Sequence, residues 1–223
     1  GDVYKRQVVH LPTTLMERQL DEAAGKMLQK SLEDRGLNFL LGKNSQEIIG
    51  DANGRVQALR FTDGTEVPAQ LVVMAVGIRP NTALAESAGL HCNRGIVVND
   101  TMQTYDPRVY AVGECVNHRG TAYGLVAPLF EMAKVCANHL ANFGIGRYQG
   151  SVTSTKLKVT GIDLFSAGEF LGGEGTEEIL LSDPIGGVYK KLVLKENKLV
   201  GACLYGDTVD GSWYFNLLRE GKD

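Results

Sequence analysis

One stretch decides the fold of this chain: Thr104-Tyr105-Asp106-Pro107-Arg108-Val109-Tyr110-Ala111-Val112-Gly113-Glu114-Cys115. It predicts a turn, a short apolar strand, and then a glycine followed by an acid. A strand that ends in Gly113-Glu114 brings the backbone close to whatever lies at its carboxyl end and directs one carboxylate at it. A carboxylate there suits sugar or polyol hydroxyls, so we expect a cofactor at this strand end. A lone Val-Gly-Glu triplet would more simply be a buried strand running into a turn.

The full twelve residues carry more information than the triplet. They resemble the second flavin-binding motif, T-x-x-P-x-[IV]-[YF]-A-x-G-[DE], of flavoproteins with two dinucleotide-binding domains. The resemblance implies that Glu114 hydrogen-bonds the ribityl chain of FAD and that Gly113 is the residue of close approach.

Composition excludes several classes of function. A chain of 223 residues with 43% hydrophobic content can build one large or two small cores and shows no sign of disorder. The net charge of -3, with scattered cations, argues against nucleic acid or an anionic membrane as partner. No apolar run approaches the roughly 18 residues that span a bilayer. Residues Gly1–Gln7 have no initiator Met and no signal-peptide core, so they are expected to be a ragged junction.

The four cysteines, Cys92, Cys115, Cys136 and Cys203, form no C-x-x-C or C-x4-C pair. Neither a redox dithiol nor a metal or iron-sulfur site is therefore expected within this chain. We expect free thiols in a reducing cytoplasm.

The beginning of the chain predicts a parallel strand–helix–strand unit. Val8–Leu11 is an apolar run that is closed by Pro12, and Thr14–Glu17 fits a capping box for a helix with one apolar face. Arg35-Gly36 is typical of the helix end, and Leu37–Leu41 is the strand that follows. Glycine-containing turns then separate alternating segments between Gln46 and Val67, which predicts hairpins.

The continuous apolar run Leu71–Val76 predicts a strand buried on both faces. It leads into Gly77-Ile78-Arg79-Pro80-Asn81 and a helix over Thr82–Ser87. This pattern resembles the passage from the nicotinamide domain to the flavin domain in the same flavoproteins, which implies that Gly77, Arg79 and Pro80 bind cofactor. A plain strand–turn–helix is the alternative. Gly95–Val98 predicts one more strand before the flavin-like motif.

After Glu114 the sequence predicts a loop over Val116–Tyr123 and a helix from about Gly124 to Phe143. The first turn of that helix, with Leu125 and Val126, carries unpaired N–H groups and the positive dipole end, which suit the electron-rich edge of a reduced flavin. Gly144–Arg147 is predicted to be a linker, since no strand precedes it.

The last third predicts a small α+β domain. Short strands between Lys156 and Tyr205 are expected to form an antiparallel meander, and a helix over Asp210–Leu218 is expected to bury Trp213 against it. No residue in this part has a catalytic signature, and the fold type alone leaves flavin cover and dimer interface both open.

Together these segments resemble the large subunits of assimilatory NAD(P)H nitrite reductases. The segment Ser154-Thr155-Lys156-Leu157-Lys158-Val159-Thr160-Gly161-Ile162-Asp163 is the most specific part. The resemblance implies transfer of electrons from NAD(P)H through FAD towards an iron-sulfur and sirohaem module, which reduces nitrite to ammonium. The flavin motifs alone also fit a stand-alone NAD(P)H-dependent rubredoxin or ferredoxin reductase, or a redox-sensing protein without enzymatic activity.

The fold class expected from the resemblance is α/β, a partial two-dinucleotide-binding-domain flavoprotein with a small α+β domain behind it. We expect a partial NAD(P)H-binding domain over 8–76, the C-terminal part of the FAD-binding domain over 77–150 and the α+β domain over 151–223. Neither Gly-rich pyrophosphate loop occurs in the chain, so it is expected to be an internal fragment whose iron-sulfur and sirohaem partners, or small subunit, lie outside it. A homodimer is left open.

The resemblance implies that His10 lies at the end of the second strand of the nicotinamide domain. An acid at that position would bind a ribose 2′-hydroxyl and a basic residue would suit a 2′-phosphate, whereas histidine tolerates both. The sequence therefore predicts no strong preference for NADH, unless His10 is only a surface residue.

Overall fold

The computed structural model describes residues 6–142 and 144–221. Within them the chain divides into two compact units. Unit 1 joins the described residues up to Met74 with those from Ser154 onward, and unit 2 comprises Ala75–Thr153. The predicted division into three domains stays a prediction, because unit 1 contains parts of the first and the third.

The first part of unit 1 is a strand–helix–strand unit, as the sequence predicts. β1 (Arg6–His10) pairs in parallel with β2 (Leu37–Leu41), and α1 (Glu22–Glu33) connects them. The register places His10 opposite Leu41, so both strands end at the same level.

α1 begins later than predicted, and the capping box at Thr14–Glu17 is not its start. Asp21 is the N-cap, and its carboxylate accepts a hydrogen bond from the N–H of the third helical residue at 3.0 Å. The residues before it form bends and turns, and Met16 has a φ of +54°, which a right-handed helix does not accommodate. The side chains of Leu15 and Leu20 are buried on either side of Met16. Core packing of these two leucines therefore overrides the local capping signal.

The predicted hairpins are confirmed as a three-stranded antiparallel sheet. Its strands, in spatial order, are β3 (Ser45–Gly50), β4 (Val56–Phe61) and β5 (Glu66–Pro68). The turn between the first two is closed by the Asp51 carboxylate, which accepts hydrogen bonds from the N–H groups of Asn53 at 2.8 Å and Arg55 at 2.9 Å.

The predicted buried strand over Leu71–Val76 is wrong for this structure. The segment is irregular, and its large side chains are 72–85% exposed: Leu71, Val73, Met74 and Val76. A strand exists through backbone hydrogen bonds to a neighbour, and no strand among the described residues pairs with this segment. An apolar run has side chains that suit a buried strand, but it does not specify the neighbouring strand with which it would pair.

Unit 2 contains two helices and a pair of parallel strands. In chain order they are α2 (Ala83–Ser87), β6 (Ile96–Val98), β7 (Val116–His118) and α3 (Val126–Leu140). Their core comprises the buried residues Val98, Met102, Val116, Met132, Cys136 and Tyr148. Gly95 is required at the start of β6, because a Cβ there would lie 2.9 Å from the backbone nitrogen of Asn117. The predicted helix over Gly124–Phe143 is confirmed in its central part, and Phe143 lies outside the described residues.

The flavin-like motif does not contain the predicted strand before Gly113. Residues 109–112 are irregular apart from a single bridge between Tyr110 and Gln103, and β7 occupies the start of the predicted loop. The motif folds back on the residues just before it, since the N–H of Ala111 donates to the carbonyl of Met102 at 3.1 Å. This tight turn leaves the edge of β6 free for β7.

The second part of unit 1 is a five-stranded antiparallel sheet with one helix. Its elements are β8 (Ser154–Val159), β9 (Ile162–Gly168), β10 (Glu177–Asp183), β11 (Val188–Lys195), β12 (Lys198–Tyr205) and α4 (Gly211–Glu220). The spatial order is β10-β11-β12-β9-β8, so the predicted single meander is wrong. β12 pairs antiparallel with β9, with Ala202 opposite Ala167 and Leu204 opposite Phe165.

This sheet is covered by a helix on each face. Alternate residues of β12 point to opposite sides: Cys203 and Tyr205 belong to the cluster with α1, and Ala202 and Leu204 to the cluster with α4. The predicted burial of Trp213 is wrong, since this side chain is 59% exposed. The contacts of α4 with the sheet come from Tyr214, Phe215 and Leu218, which share the opposite side of the helix.

No helix among the described residues combines the length and the apolar character that crossing a membrane requires.

Candidate cofactor site

Gly113 and Glu114 form the turn between the flavin-like motif and β7. Gly113 has a φ of +102°, a backbone conformation that glycine adopts at the lowest cost. Its carbonyl accepts a hydrogen bond from the N–H of Val116 at 3.2 Å. A Cβ at Gly113 would meet no atom within 4 Å. The backbone conformation, and not crowding inside unit 2, therefore calls for glycine here.

The Glu114 side chain is exposed, and it makes no hydrogen bond or ion pair with any residue in the ranges 6–142 and 144–221. A carboxylate without an intramolecular partner is free to accept hydrogen bonds from ligand hydroxyls. A polyol chain carries hydroxyls that can donate to this carboxylate, and the ribityl chain of FAD is a polyol chain.

A charged network fixes the polar end of β7 behind this turn. Asp100 accepts hydrogen bonds from the Nε2 of His118 at 2.9 Å and from the Nε of Arg119 at 3.0 Å, and its second oxygen accepts from Arg119 at 2.6 Å. Arg119, and after it His118, lowers the pKa of Asp100 to about 2. His118 is only 1% exposed, so the network anchors a buried group.

Aromatic packing extends this network towards the start of α3. The ring of Tyr148 lies 4.8 Å from that of His118, and burial raises the pKa of Tyr148 to about 12. The Tyr148 hydroxyl shares a 2.8 Å hydrogen bond with Ser151, whose N–H donates to the hydroxyl of Tyr123 at 3.2 Å. Tyr123 lies three residues before Val126, the first residue of α3. The end of β7 and the residues just before α3 are thus joined by one set of contacts.

No sequence motif pointed to a role for Asp100, His118, Arg119 or Tyr148. The available signal was the polar run Asn117-His118-Arg119 directly after the Gly-acid turn. Its partner Asp100 lies 18 residues before His118, and no sequence periodicity links the two positions.

The N-terminus of α3 has no side-chain cap. Leu125 is the N-cap residue and makes no capping hydrogen bond. Leu125 is 40% and Val126 66% exposed, and Pro128 brings no N–H to the first turn. The N–H groups of Val126 and Ala127 are therefore the donors at this positive helix end, and they suit an electron-rich ligand edge.

The remaining predicted residues lie elsewhere in the fold. Gly77, with a φ of +85°, Arg79 and Pro80 belong to the irregular segment before α2. Arg79 is exposed and has no hydrogen-bond or ion-pair partner among the described residues. His10 is at the carboxyl end of β1 in unit 1, where its Nε2 lies 3.1 Å from the Oε2 of Glu17. The cofactor role of all these residues stays a prediction.

Two open depressions in the described part of unit 2 have volumes of about 640 and 400 Å³. The larger is lined by Glu86, His91, Cys92 and Tyr105 among others, and the smaller by Asp100, His139 and Arg147 among others. None of the predicted cofactor residues lines either depression.

Comparison with known proteins decides the family. The family model for pyridine nucleotide-disulphide oxidoreductase matches residues 3–138, which is more than half of the chain. This chain belongs to the pyridine nucleotide-disulphide oxidoreductase family. Residues 154–222, which follow this segment in the chain, match the family model for the rubredoxin NAD+ reductase C-terminal domain. All four cysteines of this family member are free thiols.

Two relatives from Bacillus subtilis (strain 168) are similar along almost the whole chain. The nitrite reductase [NAD(P)H] is 54% identical over 97% of this chain and 27% of its own length. The assimilatory nitrate reductase electron transfer subunit is 45% identical over 97% of this chain and 28% of its own length. The resemblance to NAD(P)H nitrite reductases is confirmed, and this family member spans about a quarter of the length of these curated relatives.

A solved structure with a different sequence has the same fold. The ferredoxin reductase for the CYP199A2 system from Rhodopseudomonas palustris superposes with a TM-score of 0.79, covering 93% of this chain and 52% of the other, at 22% identity. This similarity confirms the predicted fold class.

Proposed function

We propose that this chain is part of an FAD-dependent NAD(P)H oxidoreductase of the nitrite reductase type. In the whole protein, electrons would pass from NAD(P)H through FAD towards an iron-sulfur and sirohaem centre, where nitrite is reduced to ammonium. The observation that carries the proposal is the 54% identity with the B. subtilis nitrite reductase over 97% of this chain.

The geometry of unit 2 supports the flavin part of the proposal. Glu114 offers an exposed carboxylate that has no partner among the described residues, next to the left-handed turn at Gly113. The uncapped start of α3 offers backbone donors at a positive helix end. The carboxylate can accept hydrogen bonds from hydroxyls, and the N–H groups can donate to an electron-rich ring edge. A flavin with its ribityl chain requires both kinds of partner.

In the proposed mechanism FAD, when bound, supplies the chemistry of accepting a hydride and releasing single electrons. The residues of this chain bind and orient. Glu114 would accept hydrogen bonds from the ribityl hydroxyls, and Gly113 would allow the backbone to approach them. The N–H groups of Val126 and Ala127 would stabilise negative charge at the pyrimidine edge of the ring. The network around Asp100 anchors the end of β7, the strand that follows the Glu114 turn.

A second candidate is a stand-alone NAD(P)H-dependent rubredoxin or ferredoxin reductase. The observation that favours it is the match of residues 154–222 to the rubredoxin NAD+ reductase C-terminal domain. The two candidates share the flavin chemistry and differ in the acceptor. A redox-sensing protein without enzymatic activity would require that nicotinamide oxidation has been lost.

The partners follow from the same proposal. They are a nicotinamide nucleotide and an electron-accepting module or small subunit, and the electron transfer function of the second B. subtilis relative supports such a partner. We also propose a cytoplasmic location, and a homodimer remains an open proposal.

Two measurements on the protein that carries this chain test the function. The coding sequence on both sides should contain the two Gly-rich pyrophosphate loops upstream and cysteines at iron-sulfur spacing downstream. The purified protein should oxidise NAD(P)H only slowly until nitrite is added, and ammonium should then appear as nitrite is consumed. Rapid reduction of rubredoxin or ferredoxin without any reaction with nitrite would support the second candidate instead.

A further inference from the structure

The five-stranded sheet of unit 1 has two edge strands that differ in character. β8 and β10 lie at opposite ends of the strand order, and neither pairs with a further strand among the described residues. β8 carries the exposed residues Lys156 and Lys158, and lysines on an edge oppose pairing with another strand. β10 carries Ile179, Leu180 and Leu181 in succession, each 54–58% exposed. One edge is therefore protected against pairing, and the other is suited to it.

The backbone of β10 is a regular template for a further strand. All residues of Glu177–Asp183 pair with β11 without a register shift, so no bulge turns the outer edge away. Every residue of the strand is exposed. In a strand that is bonded on one side only, half of the N–H and C=O groups point to the open side. These groups can bond a strand that is added there.

The exposed apolar side chains lie on both faces of the sheet. Ile179 and Leu181 share the α4 face, where Ile179 is opposite Leu192. Leu180 is opposite Lys191 on the α1 face. A helix packed on the sheet would cover only one of these faces. A strand that pairs with the edge covers both, because its own side chains alternate in the same way. The surface therefore suits a sixth strand.

The cations beside these apolar residues are already paired. The ammonium group of Lys191 lies 2.8 Å from the carboxylate of Glu178, and that of Lys190 lies 2.7 Å from the carboxylate of Asp207. Lys195 is exposed, but it lies one residue beyond the last pairing of β11 with β10. An apolar strand can therefore approach the centre of β10 without meeting an unpaired lysine of β11.

The path of the chain indicates which polypeptide can supply this strand. Close to the end of α4, the Leu218 side chain lies against Gly168, the last residue of β9. The strand pairings place Gly168 and Glu177, the first residue of β10, at the same end of the sheet. Three strand spacings separate the two, roughly 15 Å, which about five extended residues can span. A polypeptide that continues from α4 therefore emerges near the open edge.

The described start of the chain lies towards the opposite edge. Arg6 in β1 pairs with Leu37, which follows the end of α1. At that end of α1, the Arg35 side chain donates a hydrogen bond to the carbonyl of Thr160, in the turn between β8 and β9. The beginning of β1 is thus on the β8 side of the sheet. A segment that follows α4 has the shorter route to β10.

We propose that the polypeptide following residue 223 in the whole protein forms a sixth strand on the outer edge of β10. This inference rests on the proposed function, in which an electron-accepting module follows the chain. The B. subtilis relatives leave room for such a module, since this chain spans about a quarter of their length. Covalent attachment gives the segment a high effective concentration at the edge, so backbone pairing and an apolar centre suffice to hold it. The strand attaches the acceptor-bearing part of the protein to unit 1.

Hydrogen exchange of the full-length protein, followed by mass spectrometry, tests the pairing. With both edges bonded, β10 should exchange about as slowly as the central strand β11, whereas β8 should exchange faster because one edge stays open. β10 that exchanges as fast as β8 in the unmodified protein overturns the inference without any variant.

A lysine on the edge tests the same pairing from the other direction. Ile179→Lys should make β10 exchange about tenfold faster in the full-length protein, because a charge on the edge opposes the added strand. The aliphatic stem of the lysine still covers Leu192. The matched control is Leu157→Lys on the open edge of β8, which should leave the exchange of β10 unchanged. Equal exchange of β10 in the two variants contradicts the proposal.

Photo-cross-linking identifies the polypeptide that covers the edge. Leu181→p-benzoylphenylalanine in the full-length protein places a photoreactive ketone beside the added strand, and the same replacement of Leu157 serves as control. In a mixture of isotope-labelled and unlabelled protein, we expect links within one molecule to residues after 223. A link between labelled and unlabelled molecules shows a second copy at this edge, and a link to another protein shows a separate partner. Either result, or no link beyond the control, overturns the inference.

The outcomes separate this inference from the proposed function. If the full-length protein reduces nitrite with NAD(P)H while β10 exchanges as fast as β8, the role of the edge is wrong and the proposed function stands. If later residues cover β10 but nitrite is not reduced, the inference stands and the proposed function fails. If the coding sequence stops shortly after residue 223, the inference fails and the second candidate function is supported.

Discussion

The hydroxyl of Tyr189 donates a hydrogen bond to the carboxylate of Asp21, which lies 168 residues earlier in the chain. The other oxygen of the same carboxylate caps α1. The ammonium group of Lys191 lies 3.7 Å from the oxygen that Tyr189 contacts. Burial, and after it the neighbouring Asp21 carboxylate, raises the pKa of Tyr189 far above its usual value. One buried carboxylate thus joins the first helix of unit 1 to β11.

Replacing this carboxylate should therefore loosen both parts at once. Asp21→Ala removes the N-cap of α1 and leaves the hydroxyl of Tyr189 without its partner, while Lys191 keeps Glu178 and the carbonyl of Leu171. We therefore expect a loss of about 2–4 kcal/mol in the stability of unit 1. Hydrogen exchange followed by mass spectrometry should show faster exchange in α1 and in β11 together. Tyr189→Phe is the milder comparison because it keeps the cap. Equal exchange rates in Asp21→Ala and Tyr189→Phe would contradict the double role of Asp21.

Two glycines of unit 2 separate backbone strain from cofactor contact. Gly113 and Gly120 have φ values of +102° and +84°, and a Cβ at either would meet no atom within 4 Å. Each substitution by alanine should cost about 1 kcal/mol of stability for backbone strain. Only Gly113→Ala should also weaken FAD binding, because the ligand is expected to approach that backbone. Fluorescence titration of the FAD-free, full-length protein measures this, and equal affinities for the two variants would exclude close approach at Gly113.

Glu114 is expected to contribute hydrogen bonds to FAD. Glu114→Ala leaves ribityl hydroxyls without an acceptor, so the affinity of the full-length protein for FAD should fall about five- to hundredfold, which corresponds to about 1–3 kcal/mol. Glu86→Ala removes another exposed acid of unit 2 and serves as control. The measurement is titration of the FAD-free protein, and retention of full affinity in Glu114→Ala would remove this residue from the site.

The Asp100 network should make unit 2 sensitive to acid. Arg119 and His118 lower the pKa of Asp100 from 3.8 to about 2. A carboxyl group with a lowered pKa in the folded protein stabilises it above the ordinary pKa, and this contribution is lost as pH falls through the folded value. Stability should therefore decrease between about pH 4 and pH 2.

Asp100→Asn tests this effect through urea unfolding at a series of pH values. The variant should be less stable than the unmodified protein at neutral pH, and its stability should decrease less between about pH 4 and pH 2. Asp34→Asn is the control, since Asp34 and its partner Lys30 are both exposed and an exposed ion pair contributes little. Parallel pH profiles for the unmodified protein and Asp100→Asn would show that the network carries no such linkage.

The exposed segment 71–76 predicts how the 223-residue chain behaves by itself. Apolar side chains that are 72–85% exposed along an unpaired backbone favour association. We expect the isolated chain to aggregate or bind a hydrophobic dye, to bind FAD weakly or not at all, and to oxidise no NAD(P)H. A yellow, monomeric preparation with a cooperative melt and diaphorase activity would contradict this prediction.

Local pattern was sufficient for much of the fold. Apolar spacing of three and four predicted the body of α1 and of α3, and alternation with glycine turns predicted the hairpins from β3 to β5. These elements follow from interactions between residues that are close in sequence. The Gly-acid turn at Gly113 and Glu114 was equally visible, because a motif of twelve adjacent residues specifies it.

Interactions between distant residues decided the rest. The sequence by itself determined the residue types of the candidate site, namely Gly113, Glu114 and His10, and the family to which the chain belongs. Tertiary structure alone decided that Asp100 anchors His118, that the turn around Glu17 returns a carboxylate to His10, and that β12 lies between β9 and β11. The physical reason is that the charge and polarity of a side chain can be read from the sequence at its own position. Its interaction partner, by contrast, depends on the packing of buried residues that are distant in the chain.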